Sequence, residues 1–287
     1  MADPNALELL ATRRTLAAEL LRLRLDAGLS THQLAERIGA SQSKVSKIER
    51  GQVAVSIPDV RAWADAAGVS NSQADQLVAL AEQALTDKLT RRAILRQGIP
   101  ANQRYLREIE HQASLIREFS PDLIPGLFQT AHYYRQLLGG VPLPDSVKIA
   151  EAVAARLDRQ AVLHDEAKQF YFVLTEAAVR WRFGDVTAHR IQLDRLATLA
   201  TLPNIHVAVI PLDTVAPVWH GHGFVIFDGL PEGISPFVSM ETLHGVQRPR
   251  DPDEIAHYLE VFERLRRVAL TGEAAIQFIG GAIADLR

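Results

Sequence analysis

Apolar residues recur at helical spacing through the first third of the chain. Leu9, Leu16, Leu20, Leu23 and Ala27 share one side of residues 8–27, which predicts an amphipathic helix ended by Gly28. Ser30, with Gln33 three residues on, forms a capping-box pattern for a second helix, Thr31 to Ile38, stopped by Gly39. Ser41 caps a third helix that Gly51 stops, and its apolar stripe is thin, Val45 and Ile48 alone. "SIPDVRAWADAAGV", with Pro58 near its start, predicts a fourth helix. "SNSQADQLVALAEQALTDKLTRRAILRQ", capped by Ser70 or Ser72, predicts a fifth. Gly98 and Pro100 both break helix, so "RQGIPANQ" marks the junction between a domain over residues 1–95 and another over 96–287.

The periodicity changes beyond the junction. Residues 103–119, 126–138 and 146–165 read as helices. "QFYFVLTE", "NIHVAVIPL", "GFVIFDG" and "SPFVSMETL" are apolar, β-branched or aromatic runs of strand length. "TAHRIQLDRLATLATL", "DPDEIAHYLEVFERLRRVAL" and "GEAAIQFIGGAIADL" predict further helices. The expected fold is α+β: an all-helical N-terminal domain, then a mixed domain with a roughly four-stranded sheet.

Composition narrows the classes. A chain of 287 residues has room for about two domains. No apolar run reaches the ~18 residues of a membrane span, and no leader-peptide pattern opens the chain. The absence of cysteine removes disulfides, thiolate metal sites and cysteine nucleophiles, and suits a cytoplasmic protein. The net charge is −3, but residues 1–95 carry 12 Lys+Arg against 11 Asp+Glu, and the remainder 19 against 23. Contact with a polyanion must therefore come from local placement of Arg13, Arg14, Arg22, Arg24, Lys44, Lys47 and Arg50.

The third helix supplies such a placement. Val45 and Ile48 face inward toward Leu34, Ala35 and Ile38, which leaves Gln42, Ser43, Ser46, Lys47 and Arg50 outward. A glutamine at a helix start can bond adenine N6 and N7 together. Ser43 and Ser46 are short enough for close approach, and Lys44 and Lys47 can neutralise phosphates. Glu49 is expected to anchor the fold through a local pair, since a carboxylate near phosphates repels them. A small residue, a glycine four on and a β-branched residue six further is helix-turn-helix spacing. The stretch "LSTHQLAERIGASQSKVSKIERG" closely resembles the phage repressor/Cro family, or XRE family, over about residues 12–80. The resemblance implies that Ser41 to Arg50 is a recognition helix in the major groove of double-stranded DNA. The DNA-contacting set it implies is Thr31, Gln33, Ser41, Gln42, Ser43, Lys44, Ser46, Lys47 and Arg50. The family usually has glutamine at the second position of helix 2; here Thr31 stands there.

In the second domain, "LIREFSPDLIPGLFQTAHYYRQLL", "RLDRQAVL", "LTEAAVRWRFG", "HGHGFVIFD" and "METL" resemble a module that follows XRE heads in many actinobacterial regulators. That module lacks an assigned activity. The resemblance, over residues 103–280, implies a transcriptional regulator, in some cases antitoxin-like with a small partner protein. Gln129, Tyr133, Arg156, Arg159 and Gln160 put polar groups on otherwise apolar helices and form a candidate effector or partner site. Arg156 and Arg159, three apart, can hold an anion or join an ion pair. An enzymatic alternative, a metal-dependent hydrolase, would use His220, His222 and Glu241, but a two-histidine pair lacks an evident third ligand. No glycine-rich phosphate loop or nucleophile elbow is present. The expectation is a non-enzymatic, dimeric regulator without metal or cofactor. Its second domain senses a small-molecule effector or a partner protein, and an antitoxin that binds a small toxin is the runner-up.

Overall fold

Side-chain caps punctuate the N-terminal helices of the computed structural model, which describes residues 4–53, 55–90, 94–95, 98–140, 142–144, 147–232 and 234–287. Five helices come first: α1 (Pro4–Asp26), α2 (Thr31–Arg37), α3 (Gln42–Glu49), α4 (Ile57–Ala67) and α5 (Asn71–Leu85). Ser30 caps α2 through a complete capping box with Gln33. Ser41 and Ser56 accept the first-turn N–H groups of Lys44 and Asp59. Ser70, rather than Ser72, caps α5, pairing reciprocally with Gln73. Gly39 turns between α2 and α3 at φ 65° with no atom crowding the place of a Cβ, so the backbone angle alone calls for glycine.

One apolar core holds these helices. Leu20, Leu34, Val45, Val60, Trp63 and Ala81 are fully buried, joined by Leu16, Leu23, Ile48, Leu77 and Val78. Each such valine, leucine or isoleucine side chain contributes about 1.5–3 kcal/mol by leaving water. The Trp63 indole N–H donates to the Leu20 carbonyl at 3.1 Å, so its one polar atom is satisfied inside. α5 stops at Leu85, short of the expected helix to Gln97, and Thr86–Thr90 form a short strand, β1. The Thr86-Asp87 pair that follows the alanine-rich run is poor in helix propensity. Arg96 and Gln97 of the expected junction lie outside the described residues.

The chain divides into two units, Met1–Leu89 with Glu232–Val238 and Gln247–His257, and Thr90–Pro231 with Ser239–Val246 and Tyr258–Arg287. In the second, α6 (Ile99–Gln112) leads into β2 (Leu115–Ser120). A single helix over 103–119 was expected, and the structure corrects this. In "LIREFS" the residues Leu115, Glu118 and Phe119 fit a helical period as well as a strand, so a short run of this kind is ambiguous.

After β2 come a 3-10 turn (Gly126–Phe128), α7 (Ala131–Gly139), α8 (Ile149–Arg159) and a second 3-10 turn (Gln160–His164). The remaining elements are β3 (Gln169–Thr175), α9 (Glu176–Arg180), α10 (Val186–Leu199), β4 (Ile205–Ile210), β5 (Phe224–Asp228), β6 (Phe237–Thr242), β7 (Gly245–Pro249), α11 (Pro252–Arg267), β8 (Leu270–Thr271) and α12 (Gly272–Ala284).

The sheet runs in the order β6-β5-β2-β3-β4-β8 through this unit. β2, β3 and β4 are parallel, and β5 and β8 join antiparallel at their flanks. β3 sits between two parallel partners, which explains its near-continuous apolar run. The fold is α+β as expected, with more strands than the four anticipated. β2 had been read as helix, and β7, "GVQRP", is too short and polar to stand out.

Candidate functional site

α3 is held from beneath and free on top. Val45 is fully buried and Ile48 nearly so, and both pack in the helical core. At its C-terminal end, Glu49 receives the Nε and Nη2 of Arg24, on the last turn of α1, in a fork over both carboxylate oxygens. Both side chains are 9% exposed. The remaining arginine edge donates to the Leu29 carbonyl at 2.6 Å. Glu49 thus anchors the fold, but its partner lies 25 residues away rather than locally. Arg24, expected among the DNA-facing cations, is withdrawn from that role because burial and three internal bonds consume it. Arg22 is likewise bound on its own helix by Glu19 and Asp26. The side chain of Arg13 lies outside the described residues.

The expected DNA-facing residues fall into two groups. In the first, internal bonds already engage the side chain. Gln33 accepts the Ser30 N–H at 2.9 Å, Ser41 accepts the Lys44 N–H at 3.1 Å, and Lys44 pairs with Asp59 of α4 at 2.8 Å. Arg50 curls back on Ser46, donating to its carbonyl at 3.0 Å and its hydroxyl at 3.1 Å. In the second group, Ser43 and Lys47 are exposed, and among the described residues Lys47 has no ion pair. Gln42 is exposed and donates one amide hydrogen to the Thr31 hydroxyl at 3.0 Å, a link between the first residues of α2 and α3. That leaves Gln42 its second amide hydrogen and its oxygen, the two groups an adenine edge requires.

In the second unit, four of the five expected effector-site residues are sealed inside. Tyr133 is fully buried, Gln129 is 4% exposed, Gln160 5% and Arg159 6%. Each has an internal task. Arg159 forks Glu110 of α6 and donates to Gln103 at 2.6 Å. Gln129 donates to the Ile124 carbonyl at 2.8 Å and accepts from Arg156 at 3.0 Å. Gln160 donates to the Gln129 carbonyl and accepts from Arg195, both at 2.6 Å. The Tyr133 hydroxyl accepts the Ile124 N–H at 3.5 Å, and burial pushes its pKa up to about 12. Arg156 remains half-buried.

Sequence reasoning missed Glu110 and Glu118, which complete this cluster. Burial pushes the Glu118 carboxyl up to about 7, against the lowering pull of the Ser120 hydroxyl and of Arg159. The signal was a carboxylate inside an apolar run, legible only once "LIREFS" is recognised as a strand.

The histidines of the enzymatic alternative make local contacts, and Glu241 is exposed. His220 sits edge-on to Phe119 at 4.8 Å between ring centres, and the His222 Nδ1 lies 3.1 Å from the Gly223 carbonyl. Among the described residues, no group of three or more His, Asp or Glu is placed to hold a metal ion. None of their helices is long and apolar enough to cross a membrane.

Two short helices meeting at Gly39, the second presenting a polar outer face on a fixed base, define a helix-turn-helix DNA-binding domain of regulatory type. Comparison agrees: a helix-turn-helix domain family matches residues 15–77. A second family, described as a domain of unknown function (DUF5753), matches residues 103–281, the larger part of the chain, and the protein belongs to that family. No curated protein matches it.

Proposed function

We propose that the protein is a sequence-specific transcriptional regulator of the XRE, or phage repressor/Cro, type. It lays α3 in the DNA major groove and binds paired half-sites as a homodimer. The second unit receives a small-molecule effector or a partner protein and does not catalyse. The observation that carries the DNA reading is the division of α3: Val45, Ile48 and Glu49 are fixed to the helical core, while Gln42, Ser43 and Lys47 are presented outward. Gln42 reads a base, steadied by Thr31; Lys47 meets a phosphate; Ser43 lets the helix approach closely. Lys44 and Arg50 are themselves exposed, so they can swing from Asp59 and Ser46 to phosphates on binding.

The test is a binding-site selection on the wild type and Gln42→Ala. Loss of Gln42 should cost roughly 1–3 kcal/mol on the preferred site and relax one base position. An unchanged preference removes Gln42 from base reading, and no preference in the wild type removes sequence-specific regulation altogether.

A further inference from the structure

The two lysines of α3 stand in different states. Lys47 is exposed and has no ion pair among the described residues, whereas the Lys44 ammonium lies 2.8 Å from a carboxylate oxygen of Asp59 on α4. The two halves of that pair are unlike. Asp59 is the third residue of α4, and the Ser56 cap ties it down: the Ser56 hydroxyl donates to the same carboxylate oxygen at 2.9 Å and accepts the Asp59 N–H at 3.2 Å. The Asp59 side chain is 19% exposed, and that of Lys44, on its flexible stem, 46%. Helix dipoles sharpen the difference. A first helical turn favours an anion and disfavours a cation, and Lys44 is itself the third residue of α3. Asp59 is thus the fixed member of the pair, and Lys44 the one that must leave before a phosphate can take it.

We infer that Asp59 is a specificity-determining residue of the DNA-binding head: its carboxylate holds the Lys44 ammonium back from DNA of arbitrary sequence and yields it where α3 reads its preferred bases. This rests on the reading that α3 enters the DNA major groove. Sequence-independent binding comes from cations that neutralise phosphates, each adding to the salt dependence. On arbitrary DNA a phosphate offers Lys44 the same kind of contact that Asp59 already gives, and its departure leaves the Asp59 carboxylate without a counter-charge. A good base contact, such as Gln42 can make, is worth about 5- to 150-fold in affinity. A pair as exposed as Lys44 with Asp59 is worth about one- to fivefold. The base contact therefore outweighs the pair, and a head seated on its own site can break it. Lys47 has no carboxylate to leave among the described residues and contributes on either kind of DNA.

The experiment measures binding of a short mixed-sequence duplex by fluorescence anisotropy across a salt series. It compares the full chain with Asp59→Asn, Lys44→Ala, Lys47→Ala and the Asp59→Asn/Lys44→Ala double variant. Asparagine keeps an oxygen for the Ser56 hydroxyl, so the cap of α4 survives. Asp59→Asn should bind this duplex about two- to fivefold tighter. Its slope of log K against log salt should steepen by about one, because one more cation reaches the phosphates. Lys47→Ala should lose about one from the slope, Lys44→Ala much less, and in the double variant the steepening should vanish. Equal tightening with Lys44 absent overturns the inference, since the carboxylate would then only repel DNA. So does an unchanged slope in Asp59→Asn, or a loss of a full unit in Lys44→Ala. If Asp59→Asn does not fold by circular dichroism, the slope of Lys44→Ala decides. A wild-type chain that neither binds the duplex nor selects a site removes the DNA reading, and this inference with it. Wild-type binding that Asp59→Asn leaves unaltered removes the role of Asp59 alone.

Discussion

Glu49→Ala is expected to destabilise the N-terminal unit by about 3 kcal/mol, although Glu49 ends a helix whose outer face is exposed. An exposed ion pair contributes ~0–1 kcal/mol, and a buried one that loses a partner costs about 3–5. The geometry decides between these. Both side chains are 9% exposed, and two of the three arginine contacts end on the Glu49 carboxylate. The bond to the Leu29 carbonyl survives, and the arginine stands at the C-terminal end of α1, where the helix dipole favours a cation by about 0.3–1 kcal/mol. These residual partners set the expectation at the lower end of the buried range. Arg24→Met combined with Glu49→Leu should recover most or all of the loss, since apolar packing can replace a buried pair. Trp63 in the helical core reports unfolding of this unit. The other two tryptophans, Trp181 and Trp219, would be changed to phenylalanine to silence them. Urea melts of the two single variants and the double variant then yield the coupling energy. A Glu49→Ala variant within about 1 kcal/mol of its parent would falsify the buried-pair argument. So would a double variant no more stable than that single one.

Lys47→Ala should lower the slope of log K against log salt by about one for any DNA, whereas Lys44→Ala, whose ammonium is shared with Asp59, should lower it less; salt titrations of both variants compare them directly. Glu118→Gln should change the pH dependence of stability. With a folded pKa near 7 against an ordinary 4.5, the folded chain holds a proton the unfolded chain has released, so stability falls as pH rises between those values. Above pH 7 the wild type bears a penalty of roughly 3 kcal/mol that the glutamine variant lacks, visible as a higher melting temperature for the variant at pH 8 but not at pH 4.5. The protein should sediment as a dimer on DNA whose half-site centres lie roughly 34 Å apart or a multiple of that, and a monomer on such a site contradicts the assembly.

The head was legible in the sequence because its determinants are short-range. Ser30 with Gln33, Ser41 with Lys44 and the turn at Gly39 all act within four residues. Long-range partners were not legible. Nothing near Glu49 announces Arg24, and nothing near Arg159 announces Glu110, 49 residues earlier. Gln33 shows a subtler conflict, since the capping box and the DNA contact assigned to it compete for one amide. In the second unit the apolar run of β3 declared itself, while β2, carrying Arg117 and Glu118, read as the continuation of α6. That one misreading hid Glu118, whose carboxylate takes the Ser120 hydroxyl and whose burial raises its pKa.

The capped α4 has a bearing on how the molecule can be dissected. Its first N–H, from Ile57, reaches the Asp251 carboxylate at 3.4 Å, and Asp251 also receives the N–H of Asp253 at 2.9 Å. Asp251 is 6% exposed and belongs to the same unit as the five helices. α1 and α4 both pack on α5, whose Val78, Ala81 and Ala84 lie in the common core. A fragment ending at residue 77 therefore discards part of that core, and one ending at 95 keeps it but strips away Gln247–His257. The unit that carries the helix-turn-helix is discontinuous in sequence, assembled from Met1–Leu89 and the later segments Glu232–Val238 and Gln247–His257, and a proteolytic cut in those segments can loosen it without touching a single residue of α3.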